Sequence, residues 1–242
     1  MTNYQDTAYV ERYGHHDGEV TRREVAFLIE HANIEPGDSI VDICCAFGRH
    51  LREFSRLGYR RTVGVDFSSA LLRHARQRGL EQGLTLHTAR ADMRALPFTD
   101  VDVALLLFGS FGFFDSDEEN QSALTECVRI LRPGGRFCLD TFTPHAELMD
   151  PAIRTVRTEQ ATTIQQISYD PVIKRLIRQT RTQYNGWAKP AFTTSSVRLY
   201  TQAELIAALV KAGLIIDAQF GGYGGEAATA TGERLVVIGH RA

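Results

Sequence analysis

The stretch Ser39-Ile40-Val41-Asp42-Ile43-Cys44-Cys45-Ala46-Phe47-Gly48 constrains this chain more than any other. Its apolar run reads as a buried strand, its small residues as a tight turn, and Arg49-His50-Leu51 as the start of a helix. A second run, Val63-Gly64-Val65, ends in an acid, Asp66. Small residues let a backbone approach a ligand closely, and a helix N-terminus offers N–H groups to a carboxylate or phosphate. A carboxylate at the tip of the next strand can accept hydrogen bonds from two ribose hydroxyls. The pattern predicts half of a nucleoside-binding α/β domain.

Downstream residues extend it. A strand is expected over 84–89, leading into Ala91-Asp92-Met93-Arg94, and another over 101–107, leading into Phe108-Gly109-Ser110-Phe111-Gly112-Phe113-Phe114. A helix follows over 117–131 with Leu124, Cys127, Val128 and Leu131 inward, then a Pro133-Gly134-Gly135 turn and a strand over 136–140. Ahead of the first strand, 19–33 reads as a helix burying Val20, Val25, Ile29 and Ala32. After 140 the residues change to Thr, Ile, Val and Tyr, and three antiparallel β-runs are expected at about 156–168, 172–183 and 191–200. Thr201-Gln202-Ala203-Glu204 is a capping box opening the last helix, and strands over 214–220 and 234–238 complete the sheet. The Gly221-Gly222-Tyr223-Gly224-Gly225 loop lies between them.

In order and in spacing, residues 38–141 resemble the class I S-adenosylmethionine (SAM) dependent methyltransferases, in particular a small-molecule branch. That branch ends its first motif in Gly-Arg-His and its fourth strand in a Phe-x-Ser-Phe-Gly-aromatic-Phe segment. The resemblance implies a three-layer α/β/α Rossmann-like sandwich, its seven-stranded, mostly parallel sheet ordered 3-2-1-4-5-7-6 with strand seven antiparallel. It also implies SAM as cofactor and S-adenosylhomocysteine as product. Asp42, Ala46 and Gly48 would form the turn around the methionine end of SAM, with Cys44 in the same turn. Asp66 would take the ribose hydroxyls, Phe67 would cover the adenine, Asp92 would accept its amino group beside the Met93 backbone, and Phe108 would sit near the sulfonium. An N-terminal lid would fold over the cofactor and bring up Tyr13. The family pattern is Asp-x-Gly-x-Gly-x-Gly, so this chain departs from it at Cys44 and Ala46.

The division expected is an N-terminal lid and SAM-binding core over 1–143, an antiparallel β insertion forming a substrate cap over 144–200, and the last helix and two core strands over 201–242. Phe111 and Phe113 are candidate pocket walls. Tyr169, Trp187, Arg198, Tyr200 and Tyr223 are candidate substrate contacts. His15 and His16 are candidate general bases, if the lid brings them to the methyl group.

The bulk properties narrow the function classes. With 27 Lys and Arg against 29 Asp and Glu, the net charge of −2 gives no field suited to nucleic acid. No apolar run has the length of a membrane span, and the polar N-terminus is not a signal peptide. None of the four cysteines has metal-ligand spacing, so no metal and a reducing cytoplasm are expected. The expected activity is methyl transfer to nitrogen, oxygen or carbon of a small molecule, with secondary metabolism as a candidate setting. The alternatives are a non-methylating cyclisation or elimination on the same fold, or a non-catalytic binding or accessory subunit. Homo-oligomerisation stays open.

Overall fold

Two sheets of different character make up the protein, seen in a computed structural model that describes residues 18–242. The first alternates strand and helix: α1 (Glu19–His31), β1 (Ile40–Ile43), α2 (Arg49–Arg56), β2 (Thr62–Asp66), α3 (Ser69–Glu81), β3 (His87–Arg90), β4 (Val101–Leu106), α4 (Asp117–Arg129) and β5 (Leu131–Phe142). It resumes with α5 (Gln202–Lys211), β10 (Leu214–Phe220) and β11 (Arg234–Arg241). Between lie a short 3-10 turn (Ala146–Met149) and a second sheet of β6 (Ala152–Arg157), β7 (Ala161–Asp170), β8 (Arg175–Tyr184) and β9 (Ala191–Arg198).

The seven-stranded sheet runs β3-β2-β1-β4-β5-β11-β10. β1 to β5 are parallel, and β11 is antiparallel to both β5 and β10. That is the expected 3-2-1-4-5-7-6 order. All four residues of β1 are buried, because helices cover both faces of the sheet. Along β4 the two sides separate: Ala104 and Leu106 pack with Leu124, Val128, Leu205 and Leu209 of α4 and α5. Val103 and Leu105 pack with Val25 and Leu28 of α1 and Phe54 of α2.

Boundaries differ from the sequence expectation where local chemistry was ambiguous. β5 begins at Leu131, because Pro133-Gly134-Gly135 is a bulge inside the strand: Val101 pairs with Leu131, and Val103 with Arg136. The insertion has four strands instead of three. The missed turn between β6 and β7 has no Gly, Pro, Asn or Asp; the Thr158 hydroxyl closes it by accepting from Gln160 N and Ala161 N at 3.3 and 3.1 Å. On α1 the inward face was also misassigned in part. Val20 is exposed while Thr21 and Glu24 are buried, since apolar periodicity cannot register a carboxylate that has buried cationic partners.

The insertion is seated on the segment that follows β4. Arg198 N donates to Gly112 O at 2.8 Å, and Arg175 Nη1 donates to Phe114 O at 3.0 Å. Gly112 has φ 94°, and a Cβ there would lie 2.2 Å from Arg198 O, so only glycine permits this approach. Among the described residues, no helix is long and apolar enough to cross a membrane.

Candidate cofactor site

The turn after β1 is built from three residues in left-handed backbone: Cys44 at φ 59°, Ala46 at φ 48° and Gly48 at φ 69°. Gly48 caps α2, and its conformation costs little. For Cys44 and Ala46 the same conformation costs about 1 kcal/mol each. Cys44 therefore does more than end a strand: it bends the chain as Ala46 does. Hydrogen bonds hold the bend, with Cys45 N donating to Val65 O at 2.9 Å and Ala46 N to Asp66 Oδ2 at 2.9 Å. Asp66 Oδ1 also accepts from Ser68 N at 2.8 Å. Asp66 thus braces the turn and the entry to α3 while remaining only half-buried at the tip of β2.

A cavity of about 380 Å³, counting its open mouth, lies over this turn, with Asp42, Cys44, Ala46, Arg49, His50 and Phe108 in its wall. Two of these carry unspent polar capacity. Asp42 Oδ2 and Arg49 Nη2 are buried and have no hydrogen-bond partner. Burial pushes the Asp42 carboxyl up to about 7, Arg49 pulling it down and Asp66 adding to the rise. A buried acid and a buried guanidinium, each with an open valence in one cavity wall, complement a ligand carrying an ammonium and a carboxylate.

A buried charge network supports that wall. Glu24 Oε2 accepts from Arg49 Nη1 and, at 2.9 Å, from His50 Nε2, while Glu24 Oε1 lies 3.3 Å from Arg234 Nη2. Arg234 grips Asp140 through two bonds of 2.6 and 2.7 Å. Asp140 Oδ2 in turn accepts from Phe108 N at 2.9 Å and Tyr223 Oη at 3.2 Å. Phe108 has φ 57°, so Asp140 holds this cavity aromatic in a strained backbone state. Burial alone would raise Glu24, but His50 and Arg49 hold it at about 2. Burial and then the Arg49 charge lower His50 to about 4, which keeps the ring neutral near pH 7. Burial pushes both Cys44 and Cys45 thiols well above the usual range, so neither is a nucleophile.

The other candidates sort by position. Phe67 stands half exposed at the tip of β2 with the Arg90 guanidinium 5.2 Å from its ring centre. Asp92 is gripped by Arg94 through Nε and Nη2 at 3.1 and 2.7 Å, which lowers its pKa. Met93 is half-buried against the core. These three lie at the ends of β2 and β3, outside the cavity wall. Phe111 is 2 % exposed and packs on Tyr200 at 4.9 Å, making it core; Phe113 is half-buried.

Arg198 and Tyr200 are committed to packing the insertion against the core. Arg198 pairs with Asp117 at 3.3 Å and Glu204 at 3.1 Å, and Tyr200 Oη donates to Asp117 at 2.7 Å. Trp187 is exposed at a hairpin tip beside Tyr184, and Tyr169 is half-buried on β7. Tyr223 instead joins the network under Phe108. Tyr13, His15 and His16 lie outside the described residues. Sequence reading missed Glu24, Arg49, Asp140 and Arg234 as site residues. A signal existed only for Asp140, an acid at the end of an apolar strand, and for Arg49, which stands inside the first motif.

Comparison with known proteins agrees with this geometry. Residues 40–135 match the model of a methyltransferase domain family. A ubiquinone/menaquinone biosynthesis C-methyltransferase, UbiE of Burkholderia mallei, is 31% identical over 121 residues, which are 48% of this chain and 48% of that protein. The chain thus spans about half the length of the curated relatives it matches. A SAM-dependent methyltransferase of Clostridium acetobutylicum superposes with a TM-score of 0.82 at 15% identity, covering 97% of this chain and 99% of the other. The SAM-bound CalS10 of Micromonospora echinaspora, an amino pentose methyltransferase involved in calicheamicin biosynthesis, superposes with a TM-score of 0.67 at 22% identity, covering 96% and 95%. Over nearly its whole length the protein has the fold of these SAM-dependent methyltransferases, and its residues 40–135 match the methyltransferase domain family.

Proposed function

We propose that the protein binds SAM and transfers its methyl group to a nitrogen, oxygen or carbon of a small molecule. One observation carries this reading: the unpartnered Asp42 Oδ2 and Arg49 Nη2 in the wall of a cavity built on a nucleoside-binding turn. They match the ammonium and carboxylate of the methionyl end. Asp66, half-buried at the tip of β2, would hold the ribose hydroxyls. Phe67 offers an exposed aromatic face for the adenine, and Asp92 its edge. When bound, the cofactor supplies an electrophilic methyl on a sulfonium, and transfer to a heteroatom is downhill.

The chain's own contribution is alignment and exclusion of water. Phe108, fixed by Asp140, presents an aromatic wall where a cation is tolerated; Arg49 already lies 5.0 Å from its ring centre. The second sheet (β6 to β9) and the Tyr223 loop would enclose the acceptor, with Phe113 and Tyr169 as contacts. A hydroxyl or ammonium nucleophile must lose a proton, and His15 or His16 on the N-terminal segment remain the candidates for receiving it. An amino sugar is the first substrate class to try, given the substrate named for CalS10. The reading favours a reducing compartment, since Cys44, Cys45, Cys127 and Cys138 are all free.

The test is incubation with SAM and a panel of amino sugars and phenolic acceptors. Stoichiometric S-adenosylhomocysteine and methylated product are expected. Product without SAM consumption, or SAM binding without turnover on any acceptor, would favour the non-methylating or the binding-subunit alternative instead.

A further inference from the structure

Beyond the cofactor cavity, one side-chain cluster combines ligand chemistry with a fixed backbone. His145, Glu147 and Glu233 each offer one ligand atom, and these atoms lie within 4.8 Å of one another. His145 and Glu147 are neighbours in His145-Ala146-Glu147, and Glu233 comes from a distant part of the chain, so only the fold assembles the set. His145 Nδ1 donates to Thr143 O at 3.0 Å, which leaves Nε2 as the ring nitrogen available to a metal ion. The two segments are tied directly: Thr143 N donates to Glu233 O at 3.0 Å, and the Thr143 hydroxyl donates to Gly232 O.

Charge balance points the same way. Among the described residues, the one basic side chain within 4.0 Å of Glu233 is His145, and none lies that close to Glu147. Two carboxylates thus converge on one imidazole. A tetrahedral site with bonds of about 2.1 Å needs ligand atoms about 3.4 Å apart. The present separations exceed that by little more than 1 Å, and Glu233, 65% exposed, can rotate to close the gap. One imidazole with two carboxylates suits a first-row transition ion better than Mg2+, which favours an all-oxygen octahedron.

We propose that His145, Glu147 and Glu233 form a site for a divalent transition-metal ion, Zn2+ being the tightest common occupant, that staples the first turn of the insertion to the β5–β11 strand pair. The three protein ligands leave a fourth position for water. The expectation of no metal rested on cysteine and histidine spacing alone, which cannot see a cluster assembled by the fold.

Metal-free protein is titrated with Zn2+, Mn2+ and Mg2+ by calorimetry, with Tm measured in parallel. One equivalent of Zn2+ is expected, more tightly bound than Mn2+, with a raised Tm and no response to Mg2+. His145→Asn and Glu147→Gln are expected to weaken Zn2+ by tenfold or more while the far-ultraviolet circular dichroism stays that of the parent; Glu147 is an exposed turn residue whose change leaves folding intact. His15→Ala/His16→Ala separates this site from the N-terminal histidine pair, and it should keep full Zn2+ affinity. Absence of Zn2+ binding, equal response to Mg2+, or loss of binding only in the His15/His16 variant overturns the proposal.

Discussion

The turn that follows β1 and the sheet formed by β6 to β9 obey different rules. In the turn, three successive alternate residues adopt left-handed backbone, a carboxylate from β2 braces the bend, and buried acids and guanidiniums meet beneath it. Each position tolerates few residue types. In the second sheet, long antiparallel ladders are filled by Thr, Gln, Ile and Arg, with exposed Ile153, Val156 and Phe192 on the outside. Any good β-former would serve at most of those positions. The difference suits the proposed division of labour, in which a cofactor common to many enzymes takes the constrained cradle and the acceptor pocket is free to vary.

That division can be broken most sharply through Asp42. Its folded pKa near 7 lies above the ordinary 3.8, so the native state holds the proton more tightly than the unfolded chain. Stability from this residue is present below pH 4 and is lost as pH rises toward 7, by about 4 kcal/mol at most. Asp42→Asn should therefore raise the Tm at pH 8 and leave it unchanged at pH 4, as calorimetric scans would show. Glu24 acts in another window: held near 2, it stabilises above pH 4.5, and that contribution fades on acidification toward 2. Parallel pH profiles for wild type and Asp42→Asn would remove Asp42 from the buried wall.

Asp66→Ala should come next. Loss of charge-assisted bonds to the ribose should weaken SAM by about 2 kcal/mol, roughly thirtyfold. Because Asp66 also accepts from Ala46 N and Ser68 N, the variant should in addition lose about 1–2 kcal/mol of stability. Urea titration and calorimetric binding read the two effects separately; unchanged SAM affinity would take Asp66 out of the site.

Ala46→Gly sharpens the comparison from the other side. Glycine relieves the left-handed strain but adds unfolded-chain entropy, so stability should move by less than about 0.5 kcal/mol. If the Ala46 Cβ crowds the ligand, SAM should bind about threefold tighter, on the order of 0.7 kcal/mol. An equal affinity would mean that the departure from the glycine pattern is neutral.

The smallest effects belong to the second sheet. Trp187→Ala, at an exposed hairpin tip, should change stability by less than about 0.5 kcal/mol. Trp187→Ala and Tyr169→Ala should both leave SAM affinity within a few fold while reducing turnover or acceptor binding. Should either abolish SAM binding, the insertion belongs to the cofactor lid.

The sequence made Gly48 and Asp66 legible because a tight βα turn and a strand-tip acid leave few chemical options. The strand order followed from the family resemblance that those motifs carry. Other features were hidden for physical reasons. Glu24, Asp140 and Arg234 are far apart in the chain and meet only across α1, β5 and β11. Cys44 looks like an ordinary strand end until its backbone is seen to be left-handed. The Thr158 turn carries no breaker residue, because a hydroxyl supplies the closure. Arg198 and Tyr200 suggested ligand contacts, yet Asp117 and Glu204 claim them.

The central claim is that Asp42 and Arg49 recognise the amino-acid end of SAM. Calorimetric titration of wild type and Arg49→Gln with SAM and with methylthioadenosine, which lacks that end, tests it directly. The account predicts that Arg49→Gln weakens SAM by tenfold or more, a loss of about 1.4 kcal/mol or greater, and leaves methylthioadenosine within about twofold. Equal losses for both ligands, or none for SAM, would contradict it.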